Sequence, residues 1–351
     1  MRNETRKLYN AYLGRIGELN GVDDVTVTFS VEPTIAQTLE TKIQESSEFL
    51  TRINIYPVGE LEGALVGINS SGPIASRTNV NANDRTTRDP TGLEDRKYRC
   101  EDTDYNTHLT WAKLDQWAKF PDFQTKVRDV VVRQQGLDRI MIGFNGTHVS
   151  VQSDLAMHPK LQDINCGWLH TIRLEAPERV MGSAVTVQPA NKTQPGTVVA
   201  EPIEVGATGA YKNLDALAYD MAQLLDPWFQ ERTDLVMICG RKILHDKYFP
   251  IINRDQAPSE MLATDIITSQ KTIGGYPAVR VPFFPDNAML LTTLENLSIY
   301  VQEQSRRRKI EENAKRKRVE DYQSSNDDYV VEEYGLVALA ENIEFVEAEE
   351  A

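Results

Sequence analysis

The chain has 351 residues, a length that suggests two domains at roughly 150 residues each. Apolar residues make up 40% and charged residues 26%, which supports a sizeable core and excludes wholesale disorder. Lysine and arginine number 38 against 52 aspartates and glutamates, a formal charge of −14. So acidic a chain is no general nucleic-acid binder, because that affinity comes from cations that neutralise phosphates. No apolar run of about 18 residues marks a membrane-spanning helix. The start, Met1-Arg-Asn-Glu-Thr-Arg-Lys-Leu-Tyr9, carries no apolar stretch fit for a signal peptide. Cys100, Cys166 and Cys239 lie far apart and form no C-x-x-C pair. They read as small buried thiols of a reducing compartment, with one reactive thiol as the alternative.

In chain order, Leu8, Tyr12, Ile16 and Leu19 recur at helical spacing and predict a helix over 1–20 that stops at Asn20-Gly21. Val22 to Pro33 reads as short and partly extended. The segment looks like a detachable arm; an ordinary docked N-terminal helix is the alternative. A second helix is expected from Thr34 to Thr51, with an N-cap at or near Thr34 and a stripe that weakens at Ser46 and Ser47. Ile53 to Val58 reads as a strand, and Pro57 argues for a sheet edge. Residues 59–97 are rich in Gly, Asn, Ser, Thr, Arg and Asp and can bury little. They read as an extended hairpin that needs a partner surface, a disordered loop being the alternative. Tyr105, Thr107, Leu109 and Trp111 alternate as a returning strand.

The longest helix is expected from Pro121 to Phe144, about 36 Å at 1.5 Å per residue, with Gly143 and Gly146 marking its end. Another is expected from Leu161 to Leu174, and 182–210 reads as loop or small hairpin. Asn213 is the candidate N-cap of the cleanest amphipathic helix, with Leu214, Leu217, Ala218, Met221, Leu224 and Leu225 as its stripe and Pro227 as its stop. Leu235 to Cys239 follows as a continuous apolar strand, so a small α/β unit around a central sheet is expected. Ala278 to Pro285 and Met289 to Val301 read as strands, and 305–321 is a charged stretch. Tyr329 to Val331, Leu336 to Leu339 and Ile343 to Val346 read as closing strands before an acidic tail, Glu347 to Ala351.

Motifs for small-molecule chemistry fail on inspection. Gly67-Ile-Asn-Ser-Ser-Gly72 has the spacing of a phosphate loop, but Pro73-Ile74 stands where the lysine and hydroxyl residue belong. Asn79 to Asn83 suggests a calcium loop, but Asp84 replaces its glycine and Pro90 its bidentate glutamate. His108, His148, His158, His170 and His245 form no H-E-x-x-H or H-x-H, although Asp154 and Asp163 lie near His158 in sequence. Asp102-Thr-Asp104 reads as a solvated strand edge. Neither a G-x-S-x-G elbow nor a catalytic cysteine signature occurs. No catalytic, metal or cofactor site is expected.

The strongest charge feature is Arg306-Arg307-Arg308-Lys309 with Lys315-Arg316-Lys317-Arg318. Its sharp reading is a nucleic-acid patch. Glu311, Glu312, Glu320 and Asp321 interleave, however, and with the overall charge they favour a segment that faces acidic neighbours. Between these stands an intersubunit patch that pairs with the acidic hairpin or tail of a neighbouring copy. Arm, projecting hairpin, long helix and α/β unit together imply a self-associating structural protein, since several parts cannot bury themselves alone.

Several stretches carry a resemblance to a known family. They are Arg2 to Leu19 with Asn10-Ala-Tyr-Leu13, Gln44-Glu-Ser-Ser-Glu-Phe-Leu-Thr-Arg-Ile-Asn-Ile55, Asp246-Lys-Tyr-Phe-Pro250, Leu294-Glu-Asn-Leu-Ser-Ile-Tyr300 and Asp328-Tyr-Val-Val-Glu332. In their order and spacing the chain resembles the major capsid proteins of tailed bacteriophages, in the peduovirus-type branch of temperate, contractile-tailed phages. The resemblance implies an α+β class, the tailed-phage capsid fold. Residues 1–30 would be an N-terminal arm. Residues 31–58, 109–164 and 291–351 would form a peripheral domain with a long spine helix at 121–144, to which the last strands return. Residues 59–108 would be an extended β-hairpin loop, and 165–290 an axial α/β domain whose tips meet at capsomer centres. It further implies a structural subunit, not an enzyme, without cofactor or membrane. Pentamers and hexamers would close an icosahedral shell around double-stranded DNA in the virion, after assembly in the host cytoplasm. A scaffolding protein, a prohead protease and a portal at one vertex are the implied partners. Trimming of the arm is implied too, and the extended stretch Val25 to Ser30 between two helices points to a cut near Phe29 and Ser30. The alternative is the shell protein of a cellular nanocompartment with the same fold.

Overall fold

Side-chain alternation explains how two sheets organise the chain. The computed structural model describes residues 1–65, 75–80, 84, 85, 87, 96–118, 120, 123–244, 247 and 271–346. Gly67 to Gly72, His245, Asp246 and the tail 347–351 lie outside them.

The six-stranded sheet runs Thr272–Ile273, Tyr276–Arg280, Val236–Cys239, Met289–Thr292, Ala338–Ala340, Val180–Met181. Its central strands are unbroken apolar runs because both faces are covered. Val236, Ile238, Leu290 and Leu339 belong to one core; Met237, Cys239, Met289, Leu291, Ala338 and Ala340 belong to another. The second core is closed by a helix at Leu214–Gln223. Asn213 caps it by accepting the Ala216 N–H at 2.8 Å, and Leu214, Leu217, Ala218 and Met221 are buried beneath it.

The seven-stranded sheet runs Phe29–Ser30, Arg307–Asn313, Arg318–Val331, Leu297–Gln302, Asn54–Val58, with Glu101–Asp104 and Thr107–Thr110 also paired to Arg318–Val331. Pro57 lies on the outermost strand, where its missing N–H leaves no inner ladder bond unmade. In chain order the helices are α1 (Asn3–Asn20), α2 (Pro33–Glu45), α3 (Glu48–Arg52), α4 (Trp111–Trp117), α5 (Phe123–Asn145), α6 (Trp168–Glu175) and α7 (Leu214–Gln223). Phe49, Phe144, Trp168, Phe284 and Tyr329 interlock at ring separations of 5.1–6.1 Å where α3, α5 and α6 meet the sheets.

Several local expectations differ from the structure. Gly143 does not stop α5, which runs through to Asn145. A Cβ at Gly143 would lie 2.3 Å from the Trp168 ring, so the glycine is there for close packing. The helix expected over 34–51 is two helices. Glu32, not Thr34, is the cap, its carboxylate accepting the Thr34 and Ile35 N–H groups. At the break the Ser46 hydroxyl donates to the Ile43 carbonyl at 2.6 Å, offering the backbone a local alternative to further helix. α6 begins only at Trp168, because Leu161 stands at φ 56° and the chain before α6 is irregular. Met289 to Val301 divides between the two sheets around a short 3-10 turn, Leu294–Asn296. Residues 305–321 form most of a β-hairpin turned by Ala314–Arg316. The closing strands Ala338–Ala340 and Ile343–Val346 pair with strands of the α/β unit. The line drawn at 290 falls inside the strand Met289–Thr292.

Candidate functional site

Among the described residues no group of three or more His, Cys, Asp or Glu side chains is placed to hold a metal ion. Cys100, Cys166 and Cys239 are buried and unpaired, and burial pushes each thiol up to about 12, away from the reactive thiolate. His148 and His158 stack edge to face at 5.4 Å, and the ring nitrogens of His148 meet the Thr147 and Ser150 hydroxyls at 3.0 and 3.2 Å. Burial, aided by His158, holds His148 below the usual histidine range. Asp102 and Asp104 are exposed on their strand.

The cation run does not form one face. Arg306 is buried 3.3 Å from Glu40. Arg308 grips Asp321 with two bonds of 3.0 and 2.7 Å. Lys309 pairs with Glu311 and Arg318 with Glu320. Arg307 is exposed, and Lys315, Arg316 and Lys317 are exposed at the hairpin turn. Of the interleaved acids, Asp321 is a cross-strand partner and Glu311 and Glu320 are same-strand partners of these cations, whereas Glu312 pairs with Arg6 of α1.

The arm is docked. Tyr9, Ile16, Val25, Phe29 and Val31 make a third core with Leu114, Ile310 and Val319. Phe29 and Ser30 add a two-residue strand to Arg308 and Arg307, Phe29 buried and Ser30 exposed. The Val31 N–H donates to the Arg306 carbonyl at 2.9 Å, and the Ile310 N–H to the Val25 carbonyl at 3.0 Å. Arg6 ion-pairs with Glu312.

The described ends of the segment 59–108 are fixed to the body. Glu62–Ala64 pairs antiparallel with Lys97–Arg99. Arg96 donates to the Val331 carbonyl at 2.8 Å and to that of Glu332, and its guanidinium lies 4.6 Å over the Tyr334 ring. Tyr98 meets Tyr300 edge to face at 5.1 Å, and Leu65, Tyr98, Cys100 and Val330 form a small core. Elsewhere Val151, Leu155 and Met157 stand exposed on the segment before α6, as do Val187, Val198 and Val199 on the hairpin Ser183–Val187/Thr197–Ala200.

Comparison with known proteins bears on what these surfaces serve. The sequence pattern of the phage major capsid protein P2 family matches residues 8–343. The chain is 50% identical over 347 residues to the capsid proteins of Escherichia phage P2, covering 98% of this chain and 95% of that sequence. The chain belongs to the P2 family of phage major capsid proteins. It is 40% identical over 355 residues to the major capsid protein of Serratia phage KSP20, with 99% of each covered. A chain of the satellite phage P4 procapsid that includes the size determination protein Sid superposes with a TM-score of 0.79 at 46% identity, covering 99% of both. This capsid protein is therefore a structural protein, not an enzyme, and its fold is that of a procapsid subunit. Identity over nearly the whole length lies with phage capsids, which sets the phage reading ahead of the nanocompartment.

Sequence reasoning missed one charged site in this capsid protein. Arg139 on α5 is wholly buried and donates to Asp327 at 3.2 Å through Nε and Nη2, and to Glu40 through Nη1. Burial opposes the charge on Glu40, but Arg139 and Arg306 outweigh it and hold that carboxyl below its usual range. The sequence signal was a lone arginine ahead of the apolar run Ile140 to Phe144 and an Asp-Asp pair ahead of Tyr329-Val-Val.

Proposed function

We infer that this chain assembles into pentamers and hexamers that close an icosahedral shell around double-stranded DNA, in the host cytoplasm, and stays in the virion. The observation that carries this reading is the full-length likeness to a procapsid chain at a TM-score of 0.79. The anchored hairpin base and the exposed apolar side chains support it, since such groups gain partners on association. In this reading 59–108 lies over a neighbouring subunit, 165–290 together with the strands Met289–Thr292, Ala338–Ala340 and Ile343–Val346 that pair into it reaches toward the capsomer centre, and 31–58, 109–164 and the remaining strands of the C-terminal part with the spine helix form the peripheral part. A scaffolding protein, a prohead protease and a portal complete the assembly. The net charge suits a container whose wall must not hold its DNA tightly. Sedimentation velocity of the chain, co-expressed with a scaffold, tests the reading. Capsomers and a fast, closed particle are expected; a monomer at every concentration counts against it.

The arm 1–30 is then removed by a cut near Phe29 and Ser30. Because Phe29 is buried in a paired strand, a protease reaches this bond only after the arm undocks. Mass analysis of mature particles should give a chain that starts near Ser30. Retention of Arg2 rules the cut out.

A further inference from the structure

We propose that the hairpin tip Lys315-Arg316-Lys317, with Lys113 and Arg2 beside it, is an electrostatic contact for an acidic surface on a second copy of this chain. The cations come from three separate segments. The Trp111 N–H at the start of α4 donates to the Lys317 carbonyl at 3.0 Å, which sets the tip against the turn that carries Lys113. The Arg2 N–H donates to Asp115 of the same helix at 2.9 Å. All five cationic side chains are exposed.

Two of the acids around them are engaged elsewhere, and the third, Asp115, lies against Arg2. Glu312 holds Arg6, Glu320 holds Arg318, and Asp115 faces the Arg2 backbone. Among the described residues no carboxylate pairs with Lys315, Arg316 or Lys317, whereas Arg306, Arg308, Lys309 and Arg318 from the same run are each ion-paired with a carboxylate. Lys317 stands at φ 52°, in the left-handed region that favours glycine. The occupant follows from charge complementarity. The chain carries −14 overall, so a neighbouring copy presents an acidic surplus to a basic tip. A continuous basic face of the kind that tracks nucleic acid is absent from the described hairpin, because four of its cations are spent internally.

The identity of the occupant rests on the shell reading, and the experiment separates the two. Wild type, the K315Q/R316Q/K317Q variant and the K315E/R316E/K317E variant are assembled with the scaffold over a range of ionic strength. Matching melting temperatures of the free subunits establish folding, and if the glutamate variant fails to fold the glutamine variant carries the test. Wild-type yield should fall with salt. The neutral variant should lose most of that dependence and the reversed variant should assemble roughly tenfold less at low salt, because like charges across an interface oppose association. Folded variants that assemble with wild-type yield and salt response overturn the proposal. So does normal assembly combined with loss of low-salt binding to a double-stranded oligonucleotide, which assigns the tip to nucleic acid. Either result leaves the shell reading intact, because wild-type shells form in the same series.

Discussion

Arg139 joins three segments of the chain through one guanidinium. Its partners Glu40 and Asp327 lie 99 and 188 positions away, so no local pattern in the sequence announces the site. Arg139→Ala would leave Asp327 buried without its cation, and breaking a buried pair in this way costs about 3–5 kcal/mol. Denaturant unfolding of the free subunit should register that loss. Arg139→Lys should recover little of it, because an ammonium lacks the fork that reaches both carboxylates. A second residue sets a pH dependence. His170 is buried with neither ring nitrogen hydrogen-bonded; burial, then Arg173 and His148, holds its pKa down to about 4 against 6.5, with Glu341 pulling the other way. Above 6.5 the ring is neutral in both folded and unfolded chains. As pH falls toward 4 the unfolded chain takes up a proton that the native state resists, so stability declines, by about 3 kcal/mol at 1.4 kcal/mol per pKa unit. Unfolding curves from pH 7 to 4 should show a slope that His170→Phe reduces; an unchanged slope in a folded variant refutes the assignment.

At the scale of elements, the arm has its own core and can yield without the body. Phe29→Ala removes a buried ring from that core, a change worth about 3–5 kcal/mol in a rigid interior. Here the loss should appear as undocking of the arm, because its contacts with the body are those with one sheet edge, α4 and the first turn of α2. Limited proteolysis between residues 21 and 31 should accelerate while the melting temperature of the body barely moves. A uniform fall in melting temperature without faster cleavage contradicts this. What the sequence made legible follows the same logic. The helix after Asn213 was plain because cap, stripe and stop agree. The strand at Val236–Cys239 was plain because a double-sided burial needs an unbroken apolar run. The strand Arg307–Asn313 was hidden, since Ile310 is its one buried residue and pairs such as Arg308 with Asp321 replace the usual alternation. The irregular segment before α6 was misread as helix because an apolar spacing cannot show a left-handed residue such as Leu161.

For the whole molecule, the six-stranded sheet serves as the wall between two cores, and the second sheet carries the arm and the hairpin base. Parts that read in sequence as unable to bury themselves divide on inspection. The arm finds its own cover within the chain, whereas the valines at 151, 187, 198 and 199 and the tip at 315–317 remain open to solvent. The basic run was legible as a feature but not as a surface, because which of its members are spent depends on cross-strand register. Electron microscopy of the pelletable fraction, after co-expression of the chain with a scaffold and a prohead protease, tests the central claim most directly. Closed shells of uniform diameter are the predicted result. Soluble monomers under those conditions, with no rings, tubes or shells, would contradict it.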